Sequence, residues 1–231
     1  MIKTNNVKEL NKYILKYTMN DIFTKDMKPF MELLFYKKNE HIIKESEEIN
    51  YLLFLVKGKA KVYVTLSNGK SLLLCFYQGF KVLGDLEVID SKNAASNVQV
   101  IEDTYCIGIS FVNVRTYLLN DAKFLRFICS SLGEKLYSCS KNSSINLLYS
   151  VENRLASYII TTGERIDDKG HASTIFEENL TEIAELLGTS YRHLLRTLNA
   201  LQSKGVIRKK NNYYEVIDEK ILKKLSADLY Q

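Results

Sequence analysis

The sequence of 231 residues contains no tryptophan, only one proline and no long hydrophobic run. Its longest apolar runs are six residues, as at positions 51–56, whereas a membrane-spanning helix needs about 20 apolar residues. The first residues also lack the apolar core of a secretory signal peptide. We therefore expect a cytoplasmic protein that has no membrane partner.

The four cysteines lie too far apart in the sequence to form a local metal motif. Cys75, Cys106, Cys129 and Cys139 are separated by gaps of 31, 23 and 10, so no C-x-x-C pair occurs. We expect free thiols in a reducing cytoplasm, and we predict neither a metal site nor a cofactor. Common catalytic signatures such as G-x-S-x-G, H-E-x-x-H and the P-loop are also missing, so the sequence does not predict an enzyme.

Residues 40–110 have the pattern of short β-strands. Runs rich in Val, Ile, Leu and Tyr alternate with turn residues about every 8–12 positions, which is typical of a small antiparallel barrel or roll. The pair Asn68-Gly69 lies between two such runs and predicts a hairpin with a type I′ turn. Both central residues of that turn need positive φ.

Two other segments have helical spacing. In residues 1–35 apolar residues recur every three or four positions, which predicts a short helical lead-in interrupted by Pro29. Residues 124–148 carry a heptad-like series that favours a parallel dimer helix, although a helix packed on its own barrel would also produce it. The series consists of Leu125, Ile128, Leu132, Leu136, Cys139, Ser143 and Asn146.

The most specific local pattern begins at Asn179. Asn179 and Glu182 have the spacing of a capping box, and Gly188 is expected to end the short helix that follows. Ser190 can then cap a second helix. A helix, a short turn and a second helix form a helix-turn-helix.

The second helix of this pattern has two distinct faces. One face carries Leu194, Leu198 and Leu201, and the opposite face carries Arg192, Arg196 and Asn199. Residues 205–217 then predict a β-hairpin with Lys209 and Lys210 at its tip, in the position of a wing. Six basic residues and no acidic residue lie between Gly188 and Tyr214, and the remaining 26 basic and 27 acidic residues nearly cancel. Phosphate binding requires such a local basic patch.

Together these patterns resemble the CRP/FNR family of bacterial transcription regulators. The strands from residue 51, the Asn68-Gly69 hairpin and Gly84-Asp85-Leu86 resemble the cyclic-nucleotide-binding-type β-roll of the family. Within the family, Ser190-Tyr-Arg-His-Leu-Leu195 is most similar to the YeiL-type regulators. The resemblance implies an α+β fold with a β-roll sensor domain in residues 1–148, whose dimerisation helix covers about 111–148. A winged helix-turn-helix DNA-binding domain would follow in residues 149–231.

The resemblance also implies a homodimer that binds a palindromic operator in double-stranded DNA, and that contacts RNA polymerase if it is an activator. We expect Arg192 and Arg196 to bond to guanine edges and the wing lysines to contact phosphate. The family commonly has Arg where Tyr191 stands and Glu where Arg192 stands, so its usual half-site is not assumed here. The expected DNA-binding residues are Ser190, Tyr191, Arg192, Arg196, Asn199, Lys209 and Lys210.

The sensor pocket departs from the family pattern. In cyclic-nucleotide binders a Gly-Glu-Leu turn holds the ribose and an Arg-Ser pair holds the phosphate. Asp85 can still accept a bond from a ribose hydroxyl, but no arginine precedes Arg115, and Lys92 would substitute only as a point charge. We therefore expect an unidentified small-molecule or redox signal. The expected effector-pocket residues are Gly84, Asp85, Leu86, Ala95, Ser96, Cys139 and Ser140.

Two alternatives remain open at this point. Cys139 either faces its symmetry mate as a redox-sensitive thiol or packs as a small apolar residue. The chain is either a DNA-binding regulator or a ligand-binding or enzymatic β-roll protein whose basic C-terminal domain does not bind specific DNA. Binding to duplex DNA that weakens steeply with salt would distinguish the last two.

Overall fold

The structure, a computed structural model, describes residues 1–90, 92–168, 171–176, 179–227 and 229, without the side chains of 167, 168, 171 and 172. The chain divides into two compact units. The first unit consists of Met1–Val64 and Phe76–Cys139, and the second of Thr65–Cys75 and Ser140–Gln231. The domain boundary between residues 148 and 149 stays a prediction.

The strands of the N-terminal part lie between residues 2 and 110. They are β1 (Ile2–Thr4), β2 (Met31–Tyr36), β3 (His41–Ile43), β4 (Tyr51–Lys57), β5 (Lys59–Thr65), β6 (Ser71–Gln78), β7 (Lys81–Leu83), β8 (Asn97–Val100) and β9 (Thr104–Ser110). In the described stretches of the C-terminal part, the strands are β10 (Glu164–Asp168), β11 (His171–Phe176), β12 (Ile207–Lys209) and β13 (Tyr214–Val216).

The helices are distributed over both units. They are α1 (Val7–Lys16), α2 (Asp85–Asp90), α3 (Phe111–Tyr117), α4 (Ala122–Leu148), α5 (Val151–Thr162), α6 (Leu180–Leu186), α7 (Tyr191–Ser203) and α8 (Glu219–Ser226).

The N-terminal strands form two antiparallel sheets. One sheet has the strand order β1-β2-β9-β4-β7, and the other has the order β3-β8-β5-β6. Phe54 on β4 and Ile107 and Ile109 on β9 are fully buried, and they belong to the apolar core of the first unit. The α+β fold and the antiparallel β-roll that the sequence predicts are thereby confirmed.

The helical lead-in is confirmed only for its first part. Asn6 caps α1 by accepting a hydrogen bond from the backbone N–H of Glu9 (3.1 Å). Residues 28–30 form a short 3₁₀ turn instead of a second α-helix, because Pro29 has no N–H to continue one. The chain then enters β2, which pairs with β1 on one side and β9 on the other. Strand pairing here overrides the helical spacing of the apolar residues.

The Asn68-Gly69 hairpin is present, but its turn is not of type I′. Gly69 has φ of +78°, whereas Asn68 is not among the residues with positive φ. The turn is closed by bonds from the N–H of Leu66 to the carbonyl of Lys70 and from the N–H of Gly69 to the carbonyl of Leu66, both 2.8 Å. The loop is therefore longer than two residues, and only its glycine needs the left-handed conformation.

The segment expected to form one dimerisation helix at about 111–148 is divided into α3 and α4 by residues 118–121. Asp121 accepts bonds from two N–H groups of the first turn of α4 (2.9 and 3.4 Å). It also accepts from the N–H (2.7 Å) and hydroxyl (2.8 Å) of Thr24. Burial alone would raise the pKa of Asp121, but these bonds outweigh it and hold that pKa below its usual value. Asp121 thus defines where α4 begins.

The heptad-like series on α4 faces two different surroundings. Ile128 is buried, and Leu125 and Leu132 pack against the core of the first unit, so this half of the series packs on its own roll. A second series is exposed and alternates spacings of four and three. It shares Leu136 and Ser143 with the heptad-like series, and its other members each lie one position after a member of that series. We call it the exposed seam of α4; it consists of Cys129, Gly133, Leu136, Ser140, Ser143 and Leu147.

The second unit contains a sheet of order β10-β11-β13-β12 together with α5 to α8. Its core includes Leu155 and Tyr158 from α5 and Leu198 from α7, all fully buried. The tip of the β5–β6 hairpin also belongs to this unit, where the amide of Asn142 donates to the carbonyl of Leu74 (2.8 Å).

Candidate DNA-binding surface and sensor cavity

The helix-turn-helix has the capping residues that the sequence predicts. Asn179 caps α6 by accepting a bond from the N–H of Thr181 (3.0 Å). In the turn, Gly188 has φ of +58°, a left-handed conformation that favours glycine. Ser190 then caps α7 by accepting from the N–H of His193 (3.2 Å). The start of α7 is therefore held by a glycine turn and a serine cap.

Helix α7 separates apolar and polar side chains onto opposite faces. Its buried face carries Leu194, Leu198 and Leu201, each 0% exposed. Its exposed face carries four of the residues expected at DNA, namely Tyr191, Arg192, Arg196 and Asn199. The leucines hold the helix on the second unit, and the basic residues face solvent.

The predicted wing is formed by β12 and β13, which pair in antiparallel register. Lys210 closes the loop by donating its N–H to the carbonyl of Tyr213 (2.8 Å). Lys209 is exposed. The ammonium group of Lys210 lies 3.7 Å from the carboxylate of Glu215, so its charge is partly balanced. Because both groups are partly exposed, this ion pair is weak and does not prevent Lys210 from contacting phosphate.

Sequence reasoning missed Arg154 on α5, which is only 7% exposed. Its guanidinium donates to the carbonyl of Leu187, in the turn between α6 and α7. No local sequence signal indicates this contact, because the two residues are 33 positions apart. Arg154 therefore connects the turn before α7 to α5.

A cavity of about 610 Å³ lies next to α7 in the second unit. Arg196 and His193 line it together with the first turn of α5. At this cavity the ammonium group of Lys204 pairs with the carboxylate of Glu152 (2.5 Å). Arg196 and His193 therefore adjoin open space rather than packed core.

In the first unit, the structure brings six of the seven expected effector residues around one cavity of about 250 Å³. They are Gly84, Asp85, Leu86, Ala95, Ser96 and Cys139. Ser140 is not among the residues that line it, because the next position along a helix is turned by about 100°. Ser140 lies instead on the exposed seam of α4. The apolar walls come from Ile43, Leu83, Val98, Leu132 and Leu136.

A tight turn at Gly84 places Asp85 in this cavity. Gly84 has φ of +81°, and a Cβ at this position would lie 2.8 Å from the carbonyl oxygen of Tyr51. Only glycine therefore fits between β7 and α2 without displacing β4. Asp85 follows as the first residue of α2 and is 2% exposed.

The carboxylate of Asp85 is already occupied by a lysine of α4. The ammonium nitrogen of Lys135 lies 2.6 and 2.8 Å from its two oxygens, and it also donates to the carbonyl of Val82 (2.8 Å). The hydroxyl of Ser131 donates to Asp85 at 3.3 Å. Lys135 is not among the effector-pocket residues that the sequence predicts, although Cys139 and Ser140 of the same helix are.

The cavity does not fit a cyclic nucleotide. No arginine is among the described residues that line it, so a phosphate would lack a bidentate partner. Lys92 does not replace one, because its side chain is 79% exposed and lies 3.3 Å from the carboxylate of Asp90. The carboxylate expected to hold a ribose is engaged by Lys135.

The thiols have different surroundings. Cys106 is buried, and burial raises the pKa of its thiol above the usual value, so it stays protonated. Cys139 is exposed and lines the cavity, whereas Cys129 lies on the exposed seam of α4. A redox role for Cys139 stays a prediction.

Comparisons with known proteins agree with this architecture. The model of the family "Cyclic nucleotide-binding domain" matches residues 33–121, and that of the family "Crp-like helix-turn-helix domain" matches residues 153–225. One regulator is 31% identical over 90% of this chain and 92% of its own length. The chain belongs to the CRP/FNR family of transcription regulators, and the signal that controls it is unidentified. That relative is regulatory protein YeiL of Escherichia coli O157:H7.

Two more distant proteins are similar to this chain over most of its length. Electron transport regulator A of Shewanella oneidensis is 24% identical over 83% of this chain and 77% of that protein. The solved structure of a Crp/Fnr-family regulator from Eubacterium rectale superposes with a TM-score of 0.72, at 14% identity, over 94% of this chain and 100% of that one. This second likeness shows the fold. Among the described residues, no helix is both long and apolar enough to cross a lipid bilayer.

Proposed function

We propose that two copies of this chain bind a palindromic DNA operator through α7 and the wing. The observation that carries this proposal is the two-faced α7. Its leucines are buried while Arg192 and Arg196 are exposed, in a stretch of 188–214 that has no acidic residue. A basic, solvent-facing helix with N-terminal residues free to reach base edges is the element that enters a major groove.

The side chains on this surface have different roles. Arg192 and Arg196 read guanine edges by bidentate hydrogen bonds, and Tyr191 contacts a thymine methyl group or a phosphate. Lys209 and Lys210 contact the phosphate backbone and fix the register of the protein on the duplex. Ser190 and Asn199 supply further polar contacts next to the arginines. This division assigns sequence specificity to α7 and sequence-independent affinity to the wing.

The exposed seam of α4 supports the proposed homodimer. Leu136 and Leu147 are 73% and 84% exposed, so they offer apolar surface to a second helix. No atom of the described residues lies within 4 Å of a Cβ built on Gly133, so a second helix can approach there. Spacings of four and three are those of a two-stranded coiled coil. Two recognition helices would then lie about 34 Å apart, one turn of B-DNA.

The first unit controls binding by a shift between two arrangements of the dimer. A signal molecule that binds one arrangement more tightly shifts the equilibrium toward that arrangement. The size of the shift is limited by the ratio of its affinities for the two arrangements. If the protein activates transcription from its operator, it also contacts RNA polymerase.

Selection of bound duplexes from a random-sequence library tests the proposal, using the full-length reduced protein. We expect a palindrome whose half-sites lie one helical turn apart. The double variant Arg192→Ala/Arg196→Ala should recover no motif, whereas Arg165→Ala, which removes an exposed arginine on β10, should recover the same palindrome. Recovery of no motif by a folded wild-type dimer, with and without added cell extract, contradicts the proposal.

A further inference from the structure

The cavity of the first unit is lined by more acidic than basic side chains. Its lining includes two buried acidic residues, Asp85 (2% exposed) and Glu87 (8%), and one lysine, Lys135. An oxygen of Glu87 accepts a bond from the N–H of Ala95 (3.4 Å). In formal charge, the two carboxylates and the one ammonium group sum to one negative charge. Such a cavity repels anions and attracts cations.

The ammonium group of Lys135 is bound by several acceptors at once, as a bound amine would be. Three oxygens surround it, two from the Asp85 carboxylate (2.6 and 2.8 Å) and one from the carbonyl of Val82 (2.8 Å). The ring of Tyr77 lies 5.7 Å away on another side. Three oxygen acceptors match the three donors of a primary ammonium group, and an aromatic face adds a further attraction for a cation.

We propose that this cavity is a binding site for a primary ammonium group, and that Lys135 occupies it as an internal ligand. The chemical class that it accepts is a small primary amine with an apolar body. The cavity of about 250 Å³ lies below the usual range for drug-sized ligands. Its apolar walls suit an alkyl chain, and an anionic nucleotide is excluded by the lining charge. An external amine binds only by taking the place of Lys135 on Asp85.

The regulatory consequence rests on the proposed function. Because Lys135 belongs to α4, its contact with Asp85 joins the dimer helix to the roll. Release of Lys135 by an amine would therefore break a bond between the element that receives the signal and the element that holds two copies together. Binding of the amine itself does not depend on whether the protein binds DNA.

Chemical complementation of the full-length Lys135→Ala variant tests the site. The truncated part of the side chain corresponds to propylamine, which we use as the probe in titration calorimetry. We expect saturable binding at least tenfold tighter than to wild type, because Lys135 no longer competes. Propanol and butyrate, of similar size, should not bind. Asp85→Asn/Lys135→Ala should lose propylamine binding, and Lys81→Ala, which removes a lysine of an exposed pair with Glu134, should behave as wild type.

Several outcomes would overturn the proposal. One is equal binding of propylamine and propanol by folded Lys135→Ala, and another is binding of cyclic AMP in this cavity by the wild type. If Lys135→Ala does not fold alone, it is refolded with either probe. Refolding in propylamine but not in propanol supports the proposed site. Failure to refold in both contradicts it. DNA affinity is measured in a separate experiment. A protein that binds propylamine but no operator would therefore overturn the proposed function and leave the amine site standing.

Discussion

At the scale of single residues, Asp85 is a buried carboxylate whose charge is balanced chiefly by Lys135. We expect Lys135→Met to lower the free energy of unfolding by about 3 kcal/mol, because it leaves the carboxylate buried without its counter-ion. Urea unfolding at pH 7 measures the difference. Asp85→Asn/Lys135→Met removes the stranded charge and should recover much of the loss. A single variant that is as stable as wild type would show that the pair is solvated in solution.

Asp121 makes stability depend on pH. Its folded pKa lies below its usual value of 3.8, so the carboxylate stabilises the fold above that pH, and the contribution is lost as the pH falls through the folded pKa. At pH 7 we expect Asp121→Asn to cost about 1 kcal/mol, because the amide nitrogen that replaces one carboxylate oxygen cannot accept a bond from Thr24. The difference from wild type should shrink below about pH 4. Unfolding curves at pH 7, 5, 4 and 3 measure it, and a constant difference would contradict the assignment.

Gly188 tests the left-handed turn between α6 and α7. Its φ is +58°, and an added Cβ would lie 3.4 Å from the side chain of Leu72. We expect Gly188→Val to lower the melting temperature by the equivalent of about 1–2 kcal/mol, since a β-branched residue is strained in this conformation. Gly188→Asn should lose less, because asparagine tolerates it. Equal melting temperatures for both variants would mean that the strain is relieved by movement of the turn.

At the scale of elements, the dimer proposal depends on the exposed seam of α4. We expect Leu147→Lys to weaken dimerisation at least tenfold, because the seam would then bury two like charges at the interface. The control is Val112→Lys on α3, which changes a residue that is 73% exposed, against 84% for Leu147, but lies off the seam. Sedimentation equilibrium of both variants measures the association constant. If Val112→Lys dissociates the dimer and Leu147→Lys does not, the interface lies elsewhere.

Sequence patterns predict elements well where one periodicity acts alone. The buried leucines of α7 and its basic outer face follow directly from a 3.6-residue period, and the roll follows from strands separated by glycine turns. On α4 the apolar series was ambiguous, because packing on the roll and packing on a second helix demand the same spacing. The structure assigns its first half to the roll. The exposed seam keeps Leu136 and Ser143 of the series, and its other members lie one position later. In residues 31–36 the chain forms β2 instead of the helix that the apolar spacing predicts, because this segment pairs with β1 and β9.

The position of the sensor cavity could be predicted from the sequence, but the side chain that pairs with Asp85 in it could not. Gly84-Asp85-Leu86 marks the turn, because the close approach of Tyr51 requires glycine there. The partner of Asp85 lies 50 positions away on a helix, and a single lysine among 32 basic residues carries no local signal. For the same reason Arg154 and its bond to the turn at Leu187 were not predicted. Long-range polar contacts of this kind are specified only by the folded chain.

At the scale of the whole molecule, the excess positive charge is concentrated on one surface. Between Gly188 and Tyr214 there are six basic residues and no acidic one. A polyanion such as DNA is therefore attracted chiefly to α7 and the wing. Two of these lysines are partly balanced, Lys204 by Glu152 and Lys210 by Glu215. Arg192 and Arg196 of α7, with Arg208 and Lys209 of the wing, therefore contribute most of the charge available to DNA.

This distribution predicts different effects for two substitutions on operator DNA. Arg196→Ala should cost about 1–3 kcal/mol on the selected operator and relax one base position, because it removes a bidentate contact to a base. Lys209→Ala should weaken binding to all sequences alike and reduce the slope of log K against log salt by about one unit, because one phosphate contact is lost. Fluorescence anisotropy over a range of salt, with operator and scrambled duplexes, measures both effects. If the two variants lose affinity equally on both duplexes, α7 does not read bases in the assigned way, since a residue that only neutralises phosphate cannot discriminate between sequences.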